Sequence, residues 1–254
     1  MTGESAGPAS ARPPGFARAL GVMALALALF FLPAVTTSDQ FLFRDNGRMH
    51  APAKRYIAEE LRRGHVPMWN PYNGVGVPFA GTAADAVQHP LNLLLVLFPF
   101  EVAFKAWVLL SYLVAAAGAY AWSRRLGCSW HAAVASGLAF ALSGHLVSSS
   151  DNVTYLTTLA GLPWVFEAAH AWLARGGPGR LGLLGLASFL CAAGGDPQAW
   201  GLAVLALPPY AALVADPAGP RRRALGRGLA AAGAALLGAA PIVLPVVAWL
   251  PHSS

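Results

Sequence analysis

The sequence predicts an all-α, polytopic integral membrane protein with about seven transmembrane helices and a long first extracytoplasmic loop that contains interfacial helices. Composition is the first reason. Of 254 residues, 56% are hydrophobic and only 11% charged, with a mean hydropathy of +0.53, where a water-soluble domain carries roughly a quarter charged residues. Second, the apolar residues are gathered into runs near the ~20 residues needed to cross a hydrocarbon core. Third, the basic residues cluster between those runs. The net charge of +6 and the pI near 9.8 therefore point to positive loops and not to nucleic acid.

Residues 1–15 read as a cytoplasmic N-terminal tail and 16–254 as one membrane module. The seven apolar runs are 16–35, 102–122, 132–147, 154–173, 181–193, 199–215 and 229–250, the third and fifth being short. Lipid cannot satisfy an open strand edge, so all should be helices. Leu91 to Phe98 is apolar but too short to cross and ends at Pro99, which fits a helix at the interface. Gly228, Gly233 and Gly238 in the last run suit close helix packing. Cys128 and Cys191 make neither a disulfide framework nor a metal motif.

With the N-terminus inside, Arg12 and Arg18, Arg124 and Arg125, Arg175 and Arg180, and Arg221, Arg222, Arg223 and Arg227 all face the cytoplasm. The loop 37–101 then lies outside, together with Asp151 and Asp196. Only Glu4, Glu167 and Asp216 fall elsewhere, so most acidic side chains share one face. A cleaved signal peptide over residues 1–36 is the rival reading. Its apolar core is long, no small-x-small site comes after it, and the remaining topology is the same either way. The chain stops after LPHSS, as either a minimal module or the front part of a longer protein.

Within the loop, Pro52 opens and Gly64 closes a helix over AKRYIAEELRR. A mostly apolar stripe of Tyr56, Ile57, Glu60 and Leu61 would rest on the membrane while Lys54, Arg55, Arg62 and Arg63 reach lipid phosphates. The helix is either a plain interfacial element or a binder of a phosphorylated lipid. In HVPMWNPYNGVGVP, Pro67, Pro71 and Pro78 forbid a continuous helix, while Gly74 and Gly76 permit tight turns and close approach of a ligand. Trp69 and Tyr72 suit the headgroup level or stacking on a sugar. His50, His65 and His89 share the loop without ligand spacing, so no metal is expected.

The run RD, six residues, Pro, a helix, then LRRGHVPMWNPYNGVGVPFAG and HPLNLLLVLFP resembles the first extracytoplasmic loop of YfhO-type bacterial membrane proteins, which are similar to the GT-C superfamily of glycosyltransferases. SGH at Ser143 to His145, LPW at Leu162 to Trp164 and GGDPQ at Gly194 to Gln198 fit as well. The resemblance covers the chain from the first run to the seventh; members usually continue with further spans. It implies transfer of a sugar from a polyprenyl-phosphate carrier to an extracytoplasmic acceptor, among membrane lipids and without a cofactor. It also implies a catalytic aspartate in the first loop. Asp45, seven residues before Pro52, is the best match and Asp39 the fallback. A carboxylate in reach of a hydroxyl can accept its proton as the nucleophile forms. Arg44 and Arg48 would hold the lipid phosphate. Trp69, Asn70, Tyr72 and Gly74 belong to the W-N-P string; His145, Asp151, Asp196 and Gln198 either line the same site or merely cap helices.

Glu167 lies inside the fourth run with His170 one turn later, an expected Glu–His hydrogen bond or else a proton path. A transporter or flippase of lipid-linked substrates would depend on that pair. A scaffold without activity is the third reading. The sequence implies no particular oligomeric state.

Overall fold

A computed structural model describes residues 15–215 and 220–252. The tail over 1–14, with Glu4 and Arg12, lies outside the described residues, as does Asp216. The protein is nearly all-α, with 78% of residues helical. In chain order the helices are α1 (Phe16–Phe30), α2 (Leu32–Thr36), α3 (Ala51–Arg62), α4 (Phe79–Thr82), α5 (Asn92–Leu97), α6 (Phe100–Arg125), α7 (Trp130–Ala141), α8 (Gly144–Ser148), α9 (Val153–Arg175), α10 (Pro178–Ala192), α11 (Pro197–Tyr210), α12 (Arg221–Gly238) and α13 (Ala240–Trp249). A π-helical turn, Asn46–His50, leads into α3, and a short pair, β1 (Trp69–Asn70) and β2 (Val77–Pro78), precedes α4.

The apolar runs are largely helical, and among the described residues length and apolarity together qualify three stretches to cross a membrane: Phe100–Arg125, Trp130–Asp151 and Pro197–Val214. The bent pair α12 and α13 makes up to four. Helices α1 and α10 are apolar but only 15 residues each. Helix α9 has 23 residues yet carries Pro163, Glu167 and His170.

The last run departs from the continuous rod expected over 229–250. Helices α12 and α13 meet at 73°. Pro241 sits in the first turn of α13, where its ring crowds the carbonyl one turn back and no N–H continues the ladder. The chain therefore swings onto the long loop. Trp249 packs so closely on α4 that a Cβ at Gly81 would lie 2.9 Å from its own Cβ, and Gln88 Nε2 donates to the Pro241 carbonyl at 3.2 Å.

Helix α9 is the spine. On one side Met23, Phe104, Trp107, Tyr112 and Leu156 join α1, α6 and α9; on the other, Val165, Leu184, Trp200, Leu207, Ala235 and Ile242 join α9 to α10, α11, α12 and α13. A Cβ on Gly238 would stand 2.4 Å from Gly185 Cα, so α10 and α12 touch backbone to backbone. Gly228 similarly meets Pro208, whereas Gly233 faces open space. The contacts between helix ends define two ends of the bundle. Arg125 with Glu167, and Arg227 with the Leu173 carbonyl, mark one end. Asn46 with Ser150, and Thr158 with the Asp196 N–H, mark the other.

Helix α3 has the expected limits, and Gly64 closes it at φ +81°. Its cations, however, find partners within the protein, Lys54 buried and Arg55, Arg62 and Arg63 still exposed. Lys54 is 1% exposed, and its Nζ donates to the Asp85 carbonyl at 2.7 Å and Asn92 Oδ1 at 3.1 Å, 4.0 Å from the centroid of the Trp107 ring. Arg55 pairs with Glu101 at 2.8 Å over the Phe100 ring. Arg62 donates to the Val96 carbonyl at 3.3 Å and to that of Phe98, and Arg63 pairs with Glu60 at 2.7 Å. For Arg62 the reason is local: the last carbonyls of α5 have no partner inside their own helix and attract a cation. Meanwhile Ile57, fully buried, packs on Phe79. Replacing Lys54 by Met should leave the Asp85 carbonyl and Asn92 Oδ1 without a donor and cost about 3 kcal/mol. Thermal unfolding in detergent should show the loss, with Arg63→Met as the near-silent control.

Candidate functional site

The site is built where the start of the long loop meets the start of α9. Asn46 is fully buried and uses both ends of its amide: Nδ2 donates to the carbonyls of Phe41 at 2.9 Å and Ser150 at 2.8 Å, and Oδ1 accepts from Val153 N–H at 2.8 Å. That staple fixes its neighbours. Arg44, at φ +49°, points its guanidinium to Asp151, with Nε 3.2 Å from Oδ2. Asn152 caps α9 through Oδ1, which accepts from Tyr155 N–H at 3.1 Å, and its Nδ2 reaches Asp45 Oδ2 at 3.5 Å. Asp45 is exposed and makes no ion pair among the described residues. Asp39 lies apart, tied into a local turn by Thr37 Oγ1 at 2.9 Å.

Beside this corner the loop forms a partly open cavity of about 530 Å³, lined by polar as well as apolar side chains. The π-helical turn and α3 supply one wall with Arg48, His50, Tyr56 and Glu59; the hairpin and the stretch after α4 supply the other with Asn70, Tyr72, Asn73 and Asp85. The three prolines that forbid a helix leave a two-residue antiparallel ladder, with Trp69 opposite Pro78 and Asn70 opposite Val77. Asn70 Oδ1 accepts from Tyr72 N–H at 3.0 Å and sets the turn. Gly76 stands at φ +98°, and a Cβ there would lie 2.5 Å from the Trp69 indole. Tyr72 meets Tyr56 edge-on at 5.4 Å, and the Tyr56 hydroxyl donates to the Trp69 carbonyl at 3.2 Å.

The residues singled out from sequence thus fall into groups. Arg48, Asn70 and Tyr72 line the cavity, and Arg44, Asp45 and Asp151 form the adjacent corner. Trp69 and Gly74 belong to the frame of the hairpin. His145 is exposed at the start of α8 and does not line this cavity. Asp196 caps α11, accepting from the N–H groups of Gln198 at 3.0 Å and Ala199 at 3.1 Å, while the Gln198 side chain is exposed. The capping alternative is what the structure supports for that pair.

Sequence reasoning gave no site role to His50 or Asp85, and it pointed Lys54 outward to lipid phosphates. His50 is 4% exposed, and neither Nδ1 nor Nε2 makes a hydrogen bond of normal geometry. Burial, and secondarily the Lys54 charge, push its pKa down to about 4; the Asp45 charge and the Asn152 side chain nearby oppose the shift. His89, facing Trp107 at 5.6 Å, is pushed down to about 3 by burial and by Lys54. Burial lowers Lys54 to about 7 and raises Asp85, each partly offset by the other's charge. A signal was present: Lys54, Ile57 and Ala58 share one helical face, so a stripe drawn from Ile57 places Lys54 inward.

A second cavity, an apolar groove of about 550 Å³, runs between α6, α9 and α10, with His89 toward the long loop and Glu167 at the far end. The expected Glu–His hydrogen bond is replaced. Glu167 pairs with Arg125, and His170 Nδ1 bonds the Tyr210 hydroxyl at 2.8 Å. Neighbouring helices α6 and α11 offer each a partner that one turn of α9 does not. Among the described residues no cluster of three or more metal-ligating side chains occurs.

Compared with family models, curated proteins and solved structures, the chain matches none of them.

Acid should loosen this region. Both histidines have folded pKa values below the ordinary 6.5, so between pH about 4 and 6.5 the unfolded chain binds protons that the folded chain does not. Their contribution is complete above pH 6.5 and is lost as pH falls toward 4. The unfolding midpoint in detergent should drop over that window, and less steeply in His89→Gln.

Proposed function

We propose that this is an integral membrane glycosyltransferase with about seven crossings, a cytoplasmic N-terminus and its long loop on the extracytoplasmic side. It takes a sugar from a polyprenyl-phosphate carrier, as the resemblance to YfhO-type GT-C proteins implies. One observation carries the reading. Asp45 and Asn152, 107 residues apart in sequence, meet at the loop end of the bundle beside a tyrosine-walled cavity. The helix ends supporting this corner are the ends where the sequence places the acidic loops, which fits the orientation.

In the proposed step Asp45 takes the proton of the acceptor hydroxyl as its oxygen attacks the anomeric carbon. The bond from that carbon to the phosphate oxygen breaks, and polyprenyl phosphate leaves with the electron pair. Arg44 is engaged by Asp151, whereas Arg48 lines the cavity without an ion-pair partner among the described residues, so Arg48 is the cation for the phosphate. The apolar groove between α6, α9 and α10 suits the carrier's hydrocarbon chain, with its His89 end toward the loop. The transport alternative would rest on Glu167 and His170, and each already has a partner on another helix.

Asp45→Asn should lower transfer from a radiolabelled polyprenyl-phosphate hexose in proteoliposomes by about a hundredfold or more. Because Asp45 is exposed, insertion and thermal stability should not change. Undiminished transfer in that variant would remove Asp45 from the mechanism.

A further inference from the structure

We propose that the cavity of the long loop binds an uncharged, polyhydroxylated ring, a glycoside, and that His50 is the residue that reads its hydroxyl groups. As an assignment of substrate this rests on the glycosyl-transfer reading; as an assignment of a binding site it stands without it.

His50 is almost fully buried and lines the cavity; the Asn152 side chain stands beside its ring, yet neither ring nitrogen makes a hydrogen bond of normal geometry. A buried polar group in that condition is destabilising, and a bound partner removes the penalty. A neutral imidazole presents one N–H donor and one lone-pair acceptor. A hydroxyl, which both donates and accepts, answers either nitrogen, and adjacent hydroxyls answer both. Burial and the positive Lys54 behind it keep the ring in that neutral form.

The surrounding charges select against ions. Arg55 is engaged by Glu101, so the cavity's charges are Arg48 against Glu59 and against Asp85, the last partly offset by Lys54 behind it. An anion seated by Arg48 alone can stay at the rim, but one filling the cavity would face two carboxylates. A cation would meet Arg48. An uncharged ligand avoids both and still uses all three side chains as hydrogen-bonding groups. Asn73 and the unbonded amide end of Asn70 add to them. Tyr72, 80% exposed, and Tyr56 set at a right angle to it form an aromatic corner that can cover the C–H face of a sugar ring. The volume lies within the roughly 300–1,000 Å³ of ordinary small-ligand sites.

The test uses the full chain in detergent micelles with methyl β-glucoside, methyl β-galactoside, N-acetylglucosamine and inorganic phosphate as probes. At least one glycoside should give saturation-transfer signals and a calorimetric Kd, and equimolar phosphate should not displace it. Tyr72→Ala, which alters an exposed side chain, should weaken binding about tenfold, and His50→Ala should weaken it at least as much. Should His50→Ala fail to fold, ring-nitrogen shifts of 15N-histidine in the unmodified chain replace it, and the His50 signals should move on adding glycoside. Absence of glycoside binding, displacement by phosphate, or unmoved His50 shifts overturns the proposal. Asp45→Asn separates the two readings. Wild-type glycoside affinity in that variant supports this site whatever happens to transfer, and lost affinity counts against it.

Discussion

Lys54 places an ammonium where almost no water reaches, and the long loop is organised by the groups that receive it. The Asp85 carbonyl, the Asn92 side chain and the Trp107 ring come from three separate stretches and converge on one nitrogen. Trp107 in turn donates through Nε1 to Thr157 on α9 at 2.8 Å. The lysine thus ties α3 to the stretch before α5, to α5, to α6 and, through the indole, to the spine of the bundle. A buried charge is tolerated only when its hydrogen bonds are met, so the convergence leaves little choice of arrangement. Its field also reaches both neighbouring histidines, and the same cation therefore shapes the chemistry of the cavity and of the groove's rim.

Much of this architecture was legible in the chain. Apolar runs gave the helices, Pro52 and Gly64 gave the limits of α3, and the spacing of the W-N-P string announced a turn. The pairing of Asp151 with the Asp45 corner was among the stated alternatives, since both lie on loop ends of one side. What could not be read were partners supplied by distant segments. An arginine beside apolar residues looks like a lipid contact until the free carbonyls at the end of α5 are in place. Glu167 and His170 look like a pair until α6 and α11 each present something better. Periodicity reports which face a residue occupies, and says nothing of what another helix will bring to that face.

The two cavities differ in kind because their walls do. The groove is walled mainly by apolar side chains of α6, α9 and α10, so it offers area and few directions. The loop cavity is walled by turns, a two-stranded ladder and one amphipathic helix, where side chains of many types project at fixed angles. One suits a long hydrocarbon, the other something small with many polar edges. Trp107 and Lys54 lie between the residues that line them, His89 on one side and Asp85 on the other.

The Asn46 staple has a consequence for the order in which the molecule is made. Its acceptor and donor lie at Ser150 and Val153, 104 and 107 residues further along the chain. While a ribosome is still producing α6, α7 and α8, the turn that carries Asp45 has nothing to close against. The long loop must wait, tethered at both ends, until the first residues of α9 emerge. A contact of such separation forms late, because the chain between its partners must first be laid down. The setting of this corner is therefore completed only when α9 arrives, and a nascent chain halted before that point carries Asp45 without its Asn152 contact.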